Sequence, residues 1–403
     1  MSLRPKIYCA DERTILEGRV TDVYFLRTEE IVRRSGLGER RVCADVHSYG
    51  LPEGYSWAVF AGLEEALKLL EGRRVNVYAM EEGEVFRPME PVMEIEGPYA
   101  EFGVLESSIL GALRHESSVA TKAARVRLAT WGKLLVFFGI RCVHPAVAPA
   151  VDRAAFIGGC DAVSGVLGAE MLGERPVGTM PHALIILFGD QEKAWMAFDE
   201  VMPPEVPRIA LCDTFDDERV ESLKAARALG RRLHAVRLDT PSSRRGNMRA
   251  IVEEVKWTLR VNGYDWVGVF VSGGIDEEEA KELVDVADGF GVGTSIAFPP
   301  SVDLAMDIVE VDGSPLSKRG KLPGRKQVYR CERFHDTLVP RTMELERCPT
   351  CGGEVRPLLR PVMLNGELVK PIEPPREIRE RVIKRLSAIR EMDGQLPPVK
   401  VFA

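Results

Sequence analysis

Short apolar runs alternate with amphipathic stretches through the middle of the chain, from about residue 134 to residue 300. The apolar runs that predict strands are LLVFFG (134–139), PRIALCD (207–213), HAVRLD (234–239), WVGVFVSGG (266–274) and GFGVGTSI (289–296). Between the later runs, apolar residues recur at helical spacing over 216–230, 246–263 and 276–287. This alternation of strand and helix indicates right-handed βαβ units and a parallel sheet.

Polar or glycine groups follow the last four of these predicted strands. They are Asp213, Asp239, Ser272 with Gly273 and Gly274, and Gly291 to Thr294. In a parallel α/β barrel the carboxyl ends of the strands carry the active site, and in an open doubly wound sheet they also carry the ligand. We favour the barrel over the open sheet, with these groups on one rim.

The regions on either side have different patterns. Residues 75–80 and 91–97 predict strands, whereas 56–72 and 102–132 predict helices, the second broken near its glycines. We therefore predict an N-terminal α/β domain over 1–115 and the barrel over 116–312, followed by a separate C-terminal segment over 313–403.

That C-terminal segment begins with a basic, glycine-rich stretch, 314–327, which predicts a mobile loop. Residues 361–369 predict a hairpin that turns at Asn365 and Gly366. The last predicted helix, 375–392, has an apolar face formed by Ile378, Val382, Leu386 and Ile389.

Composition narrows the class of protein. The 403-residue chain is 45% hydrophobic and 29% charged, as in ordinary globular proteins, and its net charge of -7 argues against a broad nucleic-acid-binding surface. No apolar run approaches the roughly 18 residues that span a bilayer, and the N-terminal MSLRPKIY has no apolar core typical of an export signal. We expect a cytoplasmic protein without nucleic-acid or membrane partners. Only three Gln and four Asn in the chain suit a protein from a hot environment.

Three clustered cysteines and a histidine form the clearest metal signal: Cys331, His335, Cys348 and Cys351. A Cys-x2-Cys turn closed by glycine supplies two zinc ligands from one tight knuckle, and four such ligands leave no open position for catalysis. We predict a structural Zn²⁺ site, with His335 as its least specific member. The alternatives are four unrelated residues, or a zinc-dependent module that binds a partner or nucleic acid, against which the acidic balance of the chain counts.

Two glycine turns after successive strands, in 271–279 and 291–298, could close around a phosphate with their backbone N–H groups. Glycine turns also close βα units for steric reasons alone. The stretch 237–247 adds Arg237 and Asp239 near one strand end, followed by Arg244 and Arg245, whose alternative interpretation is a solvated charge run.

His182 lies in GTMPHALIILF (178–188), at the start of a strongly apolar run. On its own it is more simply explained as a half-buried residue that caps a helix, with the apolar run anchoring that helix in the core.

An ordered set of motifs resembles the nicotinate phosphoribosyltransferase family. The matching pieces are TDVYF (21–25), SSVATKAARVRL, FGIR (138–141), AFIGGCDAVSGVLGAEMLG, GTMPH, VRLD, SGGID and GVGTS, in the family's order and spacing up to about residue 300. With this set, a functional role for His182 outweighs the capping role.

The resemblance implies the type II phosphoribosyltransferase fold, an N-terminal α/β sandwich joined to an irregular, TIM-like α/β barrel, here with a small C-terminal zinc-knuckle region. It implies transfer of phosphoribose from 5-phosphoribosyl 1-pyrophosphate to nicotinate, releasing pyrophosphate, with Mg²⁺ and with coupling to ATP hydrolysis. The oligomer expected from the family is a homodimer, or a hexamer built from dimers.

Roles carried over from the family fall on residues that match its motifs. Tyr24 would stack on the pyridine ring, Thr179 would line the nicotinate pocket, and Arg237 would pair with the carboxylate. His182 matches the histidine that ATP phosphorylates. Ser272, Gly273 and Gly274, with Gly293 and Thr294, would hold the 5-phosphate. On chemical grounds, Asp213 and Asp239 are candidates for the ribose hydroxyls or the magnesium ion, and Arg141 for charge near the leaving group or the substrate carboxylate.

The chain departs from the family after His182. Bacterial and animal members carry a more hydrophilic neighbour where this chain has Ala183, Leu184 and Ile185, whereas the Cys/His cluster resembles the archaeal-type branch. The closest alternative is a related phosphoribosyltransferase that uses quinolinate or nicotinamide. A second carboxylate on quinolinate would need more basic residues, and only Arg141, Arg237 and Lys122 are candidates.

Overall fold

The computed structural model describes residues 6–241 and 243–401. Residues 122–299 form one compact unit, and residues 1–121 together with 300–403 form the other. The predicted C-terminal segment therefore lies in the same unit as the N-terminal residues. None of the helices within the described ranges is both long enough and apolar enough to cross a bilayer.

The elements of the first part of the chain are α1 (Glu12–Leu16), α2 (Val23–Arg34), β1 (Arg41–Ser48), β2 (Ala58–Val59), α3 (Leu63–Leu70), β3 (Asn76–Ala79), β4 (Val85–Phe86), β5 (Pro91–Pro98), α4 (Tyr99–Phe102) and α5 (Glu106–Ala129). The middle part contains β6 (Leu134–Phe137), α6 (Ala148–Ile157), β7 (Ala162–Val163), α7 (Val166–Leu172), α8 (His182–Phe188), α9 (Gln191–Val201), β8 (Arg208–Leu211), α10 (Glu218–Leu229), β9 (Leu233–Leu238), α11 (Met248–Val261), β10 (Gly268–Val271), α12 (Glu277–Leu283), β11 (Gly289–Val292) and α13 (Thr294–Ala297). The last part contains β12 (Leu304–Val311), β13 (Ser314–Pro315), β14 (Lys326–Cys331), β15 (Asp336–Pro340), β16 (Val355–Pro357), β17 (Arg360–Leu364), β18 (Glu367–Leu368), α14 (Pro375–Arg390) and β19 (Lys400–Val401).

The unit formed by residues 122–299 is built on a six-stranded parallel sheet with the order β7-β6-β11-β10-β9-β8. Its strands carry fully buried runs such as Val269 to Val271, as expected where helices cover a parallel sheet. Among the described strands, β7 and β8 are edges that do not pair with each other, so the sheet is a half-barrel. The irregular, TIM-like barrel that we favoured from the sequence therefore takes the form of a half-barrel built on a parallel sheet.

The other unit contains a seven-stranded sheet with the order β13-β12-β1-β5-β3-β17-β18. Its strands pair antiparallel, with β1 between β5 and β12, and so join segments from both ends of the chain. A second sheet, β16-β14-β15-β19, belongs to the same unit. Val328 and Leu338 from this sheet are buried in one cluster with Val46 and Ile95 from the first, which gives the unit a continuous core.

Several predicted elements are confirmed in the last part of the chain. The hairpin β17–β18 turns at Asn365 and Gly366, whose φ angles of 48° and 80° are the positive values that such a turn requires. The apolar face of α14 is buried as predicted, at Ile378, Val382, Leu386 and Ile389.

Other predictions were wrong in extent. The helix expected over 56–72 begins only at Leu63, because the chain forms β2 first and then turns at Gly62 with a φ of 88°. The helix expected over 102–132 is divided into α4, a 3-10 turn at Gly103–Leu105 and α5. The basic stretch 314–327 ends inside β14, where the Lys326 ammonium lies 2.6 Å from the buried Asp45 carboxylate.

Candidate active site

The carboxyl ends of β8 to β10 bring predicted site residues into direct contact. Because these strands are parallel neighbours, the residues that follow them share one edge of the sheet. Asp239 donates its backbone N–H to Asp213 Oδ2 at 2.9 Å, and Ser272 Oγ donates to Asp239 Oδ1 at 2.6 Å. Burial raises the pKa of Asp213, while the neighbouring His182 and the N–H of Asp239 lower it. The edge is thus a connected polar network.

His182 is the first residue of α8 and lies against this network. Its Nδ1 is 3.1 Å from Thr214 Oγ1, and its Nε2 is 3.8 Å from Asp213 Oδ1 and 3.6 Å from Asp239 Oδ2. The side chain is 37% exposed. The ring is therefore half-buried, as considered from the sequence, but its neighbours are a hydroxyl and two carboxylates and part of its surface is open to solvent.

The apolar run after His182 does not anchor α8 as expected. Among the residues of α8, Ile185 alone is buried in the core. Ile186, Leu187 and Phe188 are exposed, Leu187 to 85%.

Arg237 projects from β9 beside the same edge. Its guanidinium donates to Thr179 Oγ1 at 2.7 Å and to the Met180 carbonyl at 3.3 Å, so it fixes the turn that precedes His182. Burial lowers its pKa below the usual range, opposed by Asp239 and Asp213, with the charge of Arg141 adding to the lowering. Within the described residues its Nε has no hydrogen-bond partner although it is buried. A buried donor without an acceptor is costly, so this atom is suited to a ligand acceptor.

Phe138, directly after β6, is an aromatic residue beside Arg237. Its ring centroid lies 5.9 Å from the Arg237 guanidinium carbon, and its ring packs where a side chain at Gly291 would collide, 2.4 Å from the position of a β-carbon. The sequence analysis quoted Phe138 within FGIR without giving it a role. Phe138 lies near the end of a predicted strand, as the polar groups do on the other strands. This position was the signal in the sequence that could have indicated a role at the site.

The two glycine turns have the geometry expected of close backbone approach. Gly273 and Gly274 have φ angles of 80° and 74°, and a β-carbon on Gly273 would lie 2.6 Å from the Asp239 carbonyl oxygen. Gly293 is the residue before α13. Thr294 is the first residue of that helix, and its Oγ1 lies 3.4 Å from Cys142 Sγ. Arg141 lies in the 3-10 turn Ile140–Cys142.

Arg245 is not part of a solvated charge run. Its side chain is 2% exposed, and it donates to the carbonyls of Thr240 at 2.9 Å and Gly273 at 2.8 Å while pairing with Glu279. It therefore ties the loop after β9 to the glycine turn after β10. The sequence analysis left the role of this residue open.

Tyr24 belongs to the other unit, on α2, where its side chain is 55% exposed and its ring centroid is 4.2 Å from that of Phe25. Its predicted stacking role stays a prediction.

The Cys/His group also lies in that unit, around the β14–β15 turn and a following knuckle. The ligand atoms of Cys331, His335, Cys348 and Cys351 all lie within 4.8 Å of one another. Cys351 Sγ is 3.7 Å from Cys331 Sγ, and Cys348 Sγ is 3.8 Å from His335 Nδ1. A tetrahedron with zinc–sulfur bonds of about 2.3 Å has edges of about 3.8 Å, so the group fits zinc.

The knuckle is held by its own backbone. Cys348 N–H donates to the Gly353 carbonyl and Gly352 N–H to the Cys348 carbonyl, both at 2.8 Å, and Gly352 has a φ of 70°. These bonds point both cysteine side chains of the knuckle to one side, where Cys331 and His335 complete the group.

Comparison with known proteins agrees with this fold. Residues 22–117 match the model of the quinolinate phosphoribosyl transferase N-terminal domain, and residues 119–307 match that of its C-terminal domain. Nicotinate phosphoribosyltransferase pncB2 of Mycobacterium tuberculosis is 33% identical over 324 residues, covering 76% of this chain and 67% of the relative.

Two solved structures extend the comparison over nearly the whole chain. Nicotinate-nucleotide pyrophosphorylase from Pyrococcus furiosus is 58% identical, with a TM-score of 0.94 over 96% of this chain and 99% of that one. Human nicotinic acid phosphoribosyltransferase, 20% identical, shares the fold with a TM-score of 0.79 over 95% of this chain and 97% of that one.

The half-barrel, its polar edge and these matches define a phosphoribosyltransferase of type II. Within that class, the chain belongs to the nicotinate phosphoribosyltransferase family.

Proposed function

We propose that the protein transfers phosphoribose from 5-phosphoribosyl 1-pyrophosphate to the ring nitrogen of nicotinate. The bond from C1 of the ribose to the pyrophosphate oxygen breaks, the bond from C1 to the pyridine nitrogen forms, and pyrophosphate leaves with the bonding electrons. No proton is exchanged in this step. The residues must orient the ring nitrogen and hold the departing charge, since the transition state has oxocarbenium character.

The observation that carries the proposal is the buried Nε of Arg237, which has no hydrogen-bond partner among the described residues, in a guanidinium beside the Phe138 ring. A planar guanidinium that already donates to Thr179 and Met180 is fixed in orientation, and its free N–H suits a carboxylate in a charge-assisted hydrogen bond. Phe138 offers a ring face at the same place. Nicotinate, an aromatic ring with one carboxylate, combines both requirements.

The choice of nicotinate over quinolinate rests on the three basic residues singled out from the sequence, Lys122, Arg141 and Arg237. Lys122 Nζ lies 3.4 Å from Glu277 Oε2, and Arg125 pairs with both oxygens of the same carboxylate at 3.0 and 2.9 Å. Lys122 is thereby committed to Glu277 at the start of α12. This leaves Arg237 and Arg141 for substrate carboxylates and pyrophosphate, which favours a substrate with one carboxylate.

The phosphoribosyl donor is assigned to the rest of the edge. The turn at Ser272, Gly273 and Gly274 and the turn at Gly293 and Thr294 would hold the 5-phosphate with their N–H and hydroxyl groups. Asp213 Oδ1 is buried without a hydrogen-bond partner among the described residues, so Asp213 and Asp239 fit the magnesium ion. When bound, that ion neutralises charge on the departing pyrophosphate.

Coupling to ATP is assigned to His182. A ring nitrogen of His182 would attack the γ-phosphorus of ATP, the bond to the bridging oxygen would break, and ADP would leave; water would later hydrolyse the N–P bond. The exposed ring between Asp213 and Asp239 supports this assignment. Labelled γ-phosphate should appear on His182 as an acid-labile, base-stable adduct. His182→Ala should lose the label and the stimulation by ATP but retain a slow transfer, and a variant that stays ATP-responsive would remove His182 from the coupling.

Substrate competition tests the transfer itself. Purified protein with magnesium and phosphoribosyl pyrophosphate is offered nicotinate, nicotinamide and quinolinate, and nucleotide formation is measured. Preference for nicotinate is expected. Preference for either rival would contradict the assignment of the carboxylate to Arg237.

The Cys/His group is proposed to hold one structural zinc ion through Cys331, His335, Cys348 and Cys351. Four protein ligands fill the tetrahedron, so this site would stabilise the segment around β14 to β16 without taking part in the reaction.

A further inference from the structure

The loop that follows β8, residues 213–216, supplies two of the polar neighbours of the His182 ring among the described residues. Thr214 Oγ1 faces Nδ1 and Asp213 Oδ1 faces Nε2. An imidazole can rotate about its two side-chain bonds, so these contacts hold the ring only if the loop itself is fixed. What fixes the loop therefore decides which ring nitrogen faces the two carboxylates.

Glu221, from the first turns of α10, is the group that holds this loop. Its Oε2 accepts the backbone N–H of Thr214 at 3.0 Å, and its Oε1 accepts those of Phe215 at 2.7 Å and Asp216 at 2.9 Å. The residue is 0% exposed. Three N–H donors on one buried carboxylate form charge-assisted hydrogen bonds, which are stronger than neutral ones.

The three hydrogen bonds to Glu221 fix one short stretch of backbone next to His182. The three donors are consecutive, so both carboxylate oxygens are used on a single turn of backbone, and the Thr214 side chain is directed from this turn to His182. Asp213, one residue earlier, is held from the other side by the N–H of Asp239 and the Thr240 hydroxyl. Glu221 and these two donors thus hold the loop at both ends.

We propose that Glu221 is a positioning residue for the His182 imidazole: it holds the loop 213–216 so that Thr214 keeps Nδ1 and the Nε2 edge stays directed at Asp213 and Asp239. The kinetic part of this inference rests on the proposed function, whereas the structural part concerns the ring alone. Glu221 touches neither the ring nor the expected substrates, so it acts through the loop.

Glu221→Gln tests the proposal by removing one acceptor. The amide oxygen can still accept two of the N–H groups, but the amide NH₂ then opposes the third, which places two donors against each other. The ¹⁵N chemical shifts of the His182 ring, assigned through their loss in His182→Gln, should report a changed tautomer balance. We expect kcat to fall about 10- to 100-fold because the ring is misplaced. The KM for nicotinate should stay within about twofold because the Arg237 clamp does not depend on the loop.

Asp217→Asn is the matched control. It removes the same charge three residues after Thr214, but Asp217 accepts the N–H of Arg219 at the start of α10 and lies 4.0 Å from the Arg219 guanidinium, away from the loop. This variant should keep the wild-type ring shifts and kcat. If Glu221→Gln does not fold, Glu221→Asp is the alternative. It retains the charge but withdraws the carboxylate by one methylene, so it should also change the tautomer balance of the His182 ring.

The outcomes separate the two hypotheses. Unchanged ring shifts and kcat in a folded Glu221→Gln or Glu221→Asp variant would overturn the positioning role, even in an active enzyme. A fall in kcat without a change in ring shifts would also overturn it. The wild-type protein could lack nicotinate transfer while the His182 ring shifts still differ between wild type and Glu221→Gln. In that case the proposed function fails and the positioning role stands.

Discussion

At the scale of single residues, Arg237 is the group on which substrate choice depends. Charge-assisted hydrogen bonds contribute about 1.5–3 kcal/mol, so Arg237→Ala should raise the KM for nicotinate about 10- to 100-fold. The KM for nicotinamide, which lacks the carboxylate, should change much less. Steady-state kinetics with both substrates measure the difference, and Thr179→Val, which removes one partner of the guanidinium but keeps its charge, should have a smaller effect. An unchanged KM for nicotinate in Arg237→Ala would exclude the clamp.

Asp152, on α6, gives a pH-dependent prediction that does not involve the reaction. Its carboxylate packs directly against the backbone of Gly165 and Gly168. A β-carbon at either glycine would lie 1.9 or 2.3 Å, respectively, from Asp152 Oδ2. Burial raises the pKa of Asp152 to about 6, opposed by the Gly165 N–H. A raised carboxyl pKa means that ionisation opposes folding. This penalty is absent below about pH 4, grows between pH 4 and 6 and is complete above pH 6.

Asp152→Asn should remove that penalty. Its free energy of unfolding relative to wild type should therefore increase between pH 4 and pH 6, by up to about 3 kcal/mol for a shift of about two pH units. Urea titrations at several pH values measure this difference. A constant difference across the range would show that the carboxyl group titrates normally in the folded protein.

At the scale of secondary-structure elements, the glycine turn after β10 depends on one close approach. Gly273→Ala would place a β-carbon 2.6 Å from the Asp239 carbonyl oxygen, in a backbone with positive φ. Overpacking of this kind costs about 1–3 kcal/mol, and it would displace the turn assigned to the 5-phosphate. We expect a lower Tm and a raised KM for phosphoribosyl pyrophosphate.

Gly274→Ala is the internal control for that substitution. Its φ is similarly positive, but apart from its chain neighbours no described residue has a heavy atom within 4 Å of the position of its β-carbon. It should show the cost of the left-handed backbone, about 1–2 kcal/mol, and a smaller rise in KM than Gly273→Ala, because Gly274 keeps its N–H in the phosphate turn. Equal KM effects from the two variants would mean that backbone conformation, and not the approach to Asp239, sets phosphate binding.

The elements also show what could be predicted from the sequence. The strand ends at Asp213, Asp239 and Ser272 were predictable because apolar runs of strand length stop at polar residues, and parallel order brings such ends together. The start of α3 was not, because Gly62 takes a φ of 88° where a β-carbon would lie 2.9 Å from the Ala112 carbonyl, a contact with a distant part of the chain. Closure of the sheet likewise depends on edge pairing, which local patterns do not encode.

The same limit applies to the site. His182 and Arg237 were found through motifs, whereas Glu221 and Arg245 act on backbone groups of the loop before α10 and of the turn after β10, and no motif marks these contacts. A carboxylate in the first turns of a helix is more simply explained by the helix dipole.

At the scale of the whole molecule, the two ends of the chain build one unit, and the Cys/His group lies within it. Strands β14 and β15 flank the Cys331–His335 turn and contribute Val328 and Leu338 to the core shared with β1 and β5. Loss of a metal there should therefore be felt as loss of stability of that unit, while His182, Arg237 and the glycine turns lie in the other unit.

Cys348→Ser tests this separation. Elemental analysis should find one zinc per wild-type chain and less in the variant, because a hydroxyl is a poor zinc ligand compared with a thiolate. The Tm should fall in the variant, and in wild type treated with a chelator, whereas kcat at 25 °C in the folded protein should stay near the wild-type value. Cys9→Ser, an exposed cysteine outside the group, should change neither zinc content nor Tm. Loss of kcat in folded, zinc-depleted protein would instead make the metal part of the reaction, since a metal whose four ligands only support the fold has no position free for substrate.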